Sequence, residues 1–83
     1  MDEIIYVDHY GNLLTGLRAA NVADDATIRV GTHALRRAGV FGNLPQGSTL
    51  WYENSIGLVE IAANQAHAAQ LLGVRVGDKV VVG

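Results

Sequence analysis

Ser48-Thr49-Leu50-Trp51-Tyr52-Glu53-Asn54-Ser55-Ile56-Gly57-Leu58-Val59-Glu60-Ile61-Ala62-Ala63 is the stretch whose reading decides the fold. Residues 49–53 and 58–63 are short apolar runs rich in aromatic and β-branched side chains, as strands require. Between them Asn54 and Gly57 supply the positive-φ chemistry of a tight turn, so the stretch reads as a β-hairpin. Turn chemistry does not explain why Glu53, Asn54 and Ser55 crowd at one strand end, nor why a second carboxylate, Glu60, lies inside the next strand. A companion polar cluster, Asp8-His9-Tyr10-Gly11-Asn12, stands near the start of the chain. These two clusters are the functional lead.

Working outward from the hairpin, residues 3–9 form a strand ending in a turn at Tyr10-Gly11-Asn12, and residues 13–17 continue as a second strand. Residues 18–25 read as a polar connector. Residues 27–30 and 33–41 flank Gly31-Thr32 as another hairpin, and 42–47, with the only proline, Pro45, form a loop. The alanine-rich stretch 64–72 predicts a helix of about two turns, capped by Asn64 and ended by Gly73. Residues 74–82 give a last strand or hairpin turning at Gly77-Asp78. Many short, closely spaced strands with one short helix point to a mainly β fold. The expectation is a single domain over residues 1–83, a small closed antiparallel β-barrel, Greek-key-like, with one short α-helix.

Composition narrows the function. The 83 residues contain no cysteine, so disulfides, thiolate metal sites and cysteine nucleophiles are absent. Six basic residues stand against eight acidic ones, and Arg36-Arg37 is the sole basic cluster. Nucleic-acid binding rests on many cationic contacts, which argues against that partner. No apolar run reaches the length of a membrane span, and no signal peptide opens the chain. The expectation is a soluble, cytoplasmic protein with no membrane partner.

No hydroxyl residue has a nucleophile's context, and His9, His33 and His67 are too scattered for a metal site. Ten glycines fall mostly where strands turn, without a phosphate-loop pattern. Strand alternation carried to Asn12 puts Asp8, Tyr10 and Asn12 on one face, presenting a carboxylate, an aromatic ring and an amide. Such a face suits a ligand with a cation, a flat ring and ring hydrogen-bonding atoms. The competing reading is an Asx-type turn before Gly11 with Tyr10 half buried. Trp51 reads as core, Phe41 as core or as an exposed stacking ring, and Glu60 as a solvated carboxylate.

Residues 5–15, Ile5-Tyr6-Val7-Asp8-His9-Tyr10-Gly11-Asn12-Leu13-Leu14-Thr15, resemble the first strand of the C-terminal domain of the S-adenosyl-L-methionine (SAM) hydroxide adenosyltransferases. These are SAM hydrolases, relatives of the fluorinating and chlorinating SAM enzymes. Residues 52–64, Tyr52-Glu53-Asn54-Ser55-Ile56-Gly57-Leu58-Val59-Glu60-Ile61-Ala62-Ala63-Asn64, resemble that domain's second signature. Residues 66–73 and Val76-Gly77-Asp78-Lys79-Val80 match its ending, so the resemblance runs over nearly the whole chain in order.

The resemblance implies a substrate-binding β-barrel, with SAM as substrate and no cofactor. Tyr10 and Phe41 would sandwich adenine, Asn12 would meet its edge, and main chain at Ala63 and Gln65 would complete the adenine contacts. Asp8 would hold the methionine ammonium, with Ser55 and the backbone of Ile56 on the carboxylate. The resemblance further implies an N-terminal α/β domain, missing here, that positions the attacking water or halide. The site would form between subunits of a homotrimer. Alone, the chain is expected to be inactive, with no catalytic residue of its own. Two positions depart from the family: Gly16 stands where Asn is common, and Ile56 where some members carry a polar or basic residue. Rival readings are a nucleoside-binding module without an enzymatic partner and a structural or oligomerisation barrel in which both clusters are only turns.

Overall fold

The computed structural model describes residues 2–38 and 45–83. Phe41 lies outside the described residues. Seven strands form one mixed sheet: β1 (Ile4–Val7), β2 (Leu13–Arg18), β3 (Ile28–Val30), β4 (His33–Arg37), β5 (Thr49–Glu53), β6 (Leu58–Ala63) and β7 (Val80–Val82). Their order is β1-β2-β6-β5-β4-β3-β7. The two outer strands meet through an antiparallel bridge between Glu3 and Lys79. There the Ile4 amide donates to the Asp78 carbonyl at 2.9 Å and the Val80 amide to the Asp2 carbonyl at 2.8 Å. The sheet is thereby nearly closed into a barrel, as the strand pattern predicts.

All pairs are antiparallel except β4 with β5, which are parallel through Arg36 opposite Leu50 and Arg37 opposite Trp51. A parallel neighbour needs a crossover rather than a tight turn. The expected hairpin at residues 49–63 is present with continuous register from Thr49 opposite Ala63 to Glu53 opposite Val59.

Alternation places one side of each strand inside the barrel. Ile4, Leu13, Ile28, Val30, Leu35, Trp51, Val59, Ile61 and Val80 are all buried there. Trp51 is completely buried, confirming the core reading, and its indole N–H donates to the Ala26 carbonyl at 3.2 Å. The Arg37 guanidinium lies 5.2 Å from the Trp51 ring centroid and pairs with Asp24 at 2.8 Å. Thr15 is the one buried polar residue among those described. Its hydroxyl donates to the Val59 carbonyl at 2.7 Å and accepts from the Leu17 amide at 3.2 Å. That pairing satisfies the hydroxyl where β2 departs from regular register against β6.

Two sequence expectations need correction. The helix α1 spans Ala68–Leu72, shorter than expected, and its cap is His67 rather than Asn64. Ala63 and Ala66 form a bridge and Gln65 takes a positive φ of 55°, so the chain is still turning where a helix was expected to begin. The Asn64 backbone is also committed to the segment leading into β5, donating to the Ser48 carbonyl and accepting from the Gly47 amide, each at 2.8 Å. Gly73 ends the helix in the left-handed region as the sequence implies. The second correction concerns residues 18–25, which are more than a polar connector. They include a 3-10 turn at Ala19–Asn21, and Ala19 and Val22 enter the core.

Candidate functional site

The two polar clusters turn out to be copies of one turn. In the first, the Asp8 amide donates to the Asn12 carbonyl and the Gly11 amide to the Asp8 carbonyl, both at 3.0 Å. Asp8 Oδ1 accepts from the amides of Tyr10 and Asn12, both at 2.9 Å. In the second, the Asn54 amide donates to the Leu58 carbonyl at 2.9 Å and the Gly57 amide to the Asn54 carbonyl at 3.1 Å. Asn54 Oδ1 accepts from the amides of Ile56 and Leu58, both at 3.0 Å. The fourth residue of each is a glycine at positive φ, 81° for Gly11 and 83° for Gly57. Each cluster is thus a three-residue hairpin loop closed by an Asp or Asn side chain, with glycine at the position only it takes without strain.

The first loop has a further anchor. A Cβ on Gly11 would lie 2.2 Å from the His67 ring, so that ring sits directly on the glycine backbone. His67 Nδ1 in turn accepts from the Gln70 amide at 3.3 Å, capping α1. The Ala69 amide donates to the Gly11 carbonyl at 3.0 Å, giving another first-turn N–H of the helix a partner. Helix α1 therefore fixes the Asp8–Asn12 loop in place. The turn at residues 63–66 runs straight into that helix, which joins Ala63 and Gln65 to the same end of the barrel.

Within that end, Tyr10 is 76% exposed, against the half-buried alternative, with the His9 ring edge-on to it at 5.4 Å. Asn12 is half-buried, and its side-chain amide makes no hydrogen bond among the described residues. Asp8 uses Oδ1 on its own loop, leaving Oδ2 without a hydrogen bond to another described residue. The Asx turn and a ligand role are therefore compatible in one side chain.

Ser55 and Ile56 lie elsewhere. Strand β6 runs from Leu58, beside the Ser55 turn, to Ala63, at the Asn12 end, a path of roughly 17 Å at about 3.4 Å per residue. A ligand touching both loops must lie along the sheet. Both Ser55 and Ile56 are exposed, but the Ile56 amide is already donated to Asn54. The hydroxyl of Ser55 is the group that turn offers to a ligand.

Glu60 was read from sequence as a solvated carboxylate, and the structure gives it two partners. The Tyr52 hydroxyl donates to Oε2 at 2.7 Å and Asn54 Nδ2 donates to Oε1 at 3.2 Å. Register could have revealed the first pair, since Tyr52 stands directly opposite Glu60 in the hairpin. Burial, the Glu60 hydrogen bond and the charges of Glu60 and Asp8 push the Tyr52 phenol from 10 up to about 12. A folded phenol that holds its proton longer than the unfolded one makes stability fall as pH rises. The contribution is complete below pH 10 and is lost as pH climbs through about 12. We expect roughly 1 kcal/mol of stability to disappear across that window, after allowance for solvent screening. Urea midpoints at pH 9 and pH 11.5 should differ more for the wild type than for Tyr52→Phe; equal differences would contradict the assignment.

Among the described residues no group of His, Cys, Asp or Glu could hold a metal ion, and no helix is long and apolar enough to cross a membrane. Two hollows are lined by described residues, neither of them by a residue of the Asp8–Asn12 or Asn54–Gly57 loop. One is bordered by Arg29, Thr32, Leu72 and Lys79, the other by Gly16, Arg18, Val22 and Val82.

Residues 2–81 match the model of the SAM hydroxide adenosyltransferase C-terminal domain. The chain belongs to that family. It is 33% identical over 78 residues to the (R)-S-adenosyl-L-methionine hydrolase of Thermus thermophilus, covering 94% of this chain and 30% of the relative. It is 35% identical over 81 residues to the hydrolase of that name from Salinispora arenicola, covering 96% and 31%. The chain spans about a third of the length of the curated relatives it matches. Among solved structures, a conserved hypothetical protein from Thermus thermophilus matches with TM-score 0.86 and 28% identity over 99% of this chain and 32% of that one. An uncharacterized conserved protein from Thermotoga maritima matches with TM-score 0.81 and 31% identity over 99% and 35%. The SAM hydroxide adenosyltransferase C-terminal domain is therefore recognisable here in both sequence and fold, and both quoted signatures lie inside the matched region.

Proposed function

We propose that this domain is the substrate-binding part of a SAM hydrolase, holding adenine at the Asn12 end of the sheet and the methionine portion along it toward Ser55. The observation that carries the reading is the family match across residues 2–81, with relatives named SAM hydrolases. The geometry supports it. Tyr10 offers an exposed ring for stacking, Asn12 a free amide with one donor and one acceptor, and Ala63 and Gln65 main chain in a tight turn beside them. Ser55 is the donor for the methionine carboxylate, and because the ammonium shares its carbon with that carboxylate, the Asp8 Oδ2 charge at the other end of the sheet faces the cationic sulfonium instead.

In the reaction water displaces methionine from C5′ of SAM. A C–O bond forms as the C–S bond breaks, the sulfonium takes the bonding pair to become a thioether, and one proton is released. Adenosine and L-methionine are the products. We assign none of the described residues to take that proton, and the domain's contribution is binding and orientation. The water-activating groups belong to an N-terminal α/β domain, supplied at a trimer interface, and the 83-residue chain by itself turns over no SAM. The protein is assigned to the cytoplasm, where SAM is the ligand.

Calorimetric titration separates the roles. Asp8→Asn keeps a side-chain oxygen to close the turn, as Asn54 does in the other loop, while removing the charge. Adenosine should bind wild type and Asp8→Asn alike, whereas SAM should bind the variant about tenfold more weakly, the order expected for a lost contact between opposite charges near the surface. Unchanged SAM affinity, or no binding of either ligand to wild type at millimolar concentration, would overturn the proposal.

A further inference from the structure

The Tyr52, Glu60 and Asn54 side chains form a connected group that the proposed ligand contacts do not use. Asn54 closes the second loop by accepting from Ile56 and Leu58 through Oδ1. Its remaining polar atom, Nδ2, is spent on Glu60 Oε1. Glu60 Oε2 takes the Tyr52 hydroxyl at 2.7 Å. Tyr52 and Glu60 face each other across the β5–β6 pair, and Glu60 is opposite Leu14 on β2, the strand that begins beside Asn12. The group therefore occupies the outer surface between the Asp8 loop and the Ser55 loop. The Tyr52 phenol lies close enough to feel the Asp8 charge as well as that of Glu60.

The donors and acceptors fix the chemistry of this brace. An asparagine amide flips freely unless both ends are engaged. With Nδ2 held by a carboxylate, Oδ1 must point at the Ile56 and Leu58 amides, and the Ser55 turn has one conformation. Truncating Glu60 to alanine leaves Asn54 Nδ2 without its acceptor and loosens the side chain that closes the turn. No lysine, arginine or histidine pairs with Glu60 among the described residues. Its hydrogen bonds are thus all directed to positioning neutral groups. By contrast, the first loop is fixed from outside, by His67 and α1. The second loop is tied from outside only through its backbone, by the Ala19 amide of the 3-10 turn donating to the Gly57 carbonyl at 2.9 Å, and Glu60 holds its Asn54 side chain.

We propose that Glu60 is a positioning residue: by orienting Asn54 and Tyr52 it sets the Ser55 loop relative to Asp8, and so selects ligands that carry the methionine portion over ligands that end at the ribose. This rests on the SAM-binding reading above. It goes further in assigning selectivity to Glu60, through the Asn54 and Tyr52 side chains it orients.

The test uses the full 83-residue chain with two probes, adenosine and SAM. In Glu60→Ala the ratio of SAM affinity to adenosine affinity should fall about tenfold, with adenosine binding within twofold of wild type. Asn54→Asp is the second variant. It keeps an acceptor for Ile56 and Leu58, as Asp8 does in the first loop, but cannot donate to Glu60, and it should lose the same ratio. A general loss of stability would weaken both ligands together, so the ratio distinguishes positioning from folding. An unchanged ratio in both variants overturns the proposal. If wild type binds neither ligand, the SAM-binding reading fails by itself, and hydrogen exchange decides the brace. Exchange of the Ile56 and Leu58 amides should quicken about tenfold in Glu60→Ala while that of Tyr10 and Asn12 does not change. Equal exchange in all four would overturn it.

Discussion

Gly11→Ala should be among the most damaging single-methyl additions in this chain, lowering stability by about 3 kcal/mol. Two costs add. A φ of 81° costs a non-glycine residue about 1–2 kcal/mol. The new Cβ would also lie 2.2 Å from the His67 ring and must expel it. Moving that ring removes the cap on Gln70 and disturbs the Ala69 bond to Gly11, which adds about 1 kcal/mol or more. Gly57→Ala is the internal control. Its φ is 83° in the same kind of turn, but the nearest atom to the added methyl is Glu53 Oε2 at 3.9 Å. It should cost only the backbone strain, about 1–2 kcal/mol. Urea denaturation of both variants checks the account. Equal losses would show that His67 does not rest on Gly11.

Trp51→Ala should cost about 3–5 kcal/mol, a large share of the stability expected for a domain of this size. Trp51 is the largest of the fully buried side chains and stands between the parallel β4 and antiparallel β6 neighbours of β5. The loss combines the cavity with an unsatisfied Ala26 carbonyl and the end of the Arg37 contact over the ring. Trp51→Phe retains most of the volume and should cost about 1–2 kcal/mol, from the missing hydrogen bond and residual space. Thermal unfolding followed by circular dichroism distinguishes them. A Trp51→Ala chain melting with the Trp51→Phe chain would contradict the assigned core.

Much of this molecule was legible in its sequence for local reasons. Residues 49–63 carry their own turn, their own alternation and their own register, and the hairpin formed as read. The β-barrel followed from the number and spacing of such runs. Where a partner lies far along the chain, local chemistry is silent. The parallel pairing of β4 and β5 and the Glu3–Lys79 bridge depend on closure of the whole sheet. Asn64 looked like a helix cap because it precedes an alanine-rich run, but its backbone is held by Gly47 and Ser48 just before β5, and His67 took the role three residues before Gln70. The candidate site shows the same division. Asp8, Tyr10 and Asn12 could be placed on one loop, yet the ring of His67 beneath Gly11 could not. One signal was present and unused: Asp8 to Gly11 and Asn54 to Gly57 have the same spacing, which marks both clusters as one type of turn. The partners of Glu60 were likewise implied by hairpin register, through Tyr52 across the pair and Asn54 at its end.

The central claim, that adenine sits at the Asn12 end with the methionine portion reaching toward Ser55, is tested most directly by mapping amide shifts of the 15N-labelled chain during titration with adenosine and then with SAM. The account predicts that adenosine moves Asn12, Ala63 and Gln65 and leaves Ser55 in place, and that SAM moves the same residues together with Asp8 and Ser55. Shifts confined to the hollow bordered by Arg29, Thr32 and Lys79, or none at any of the five residues with either ligand, would contradict it.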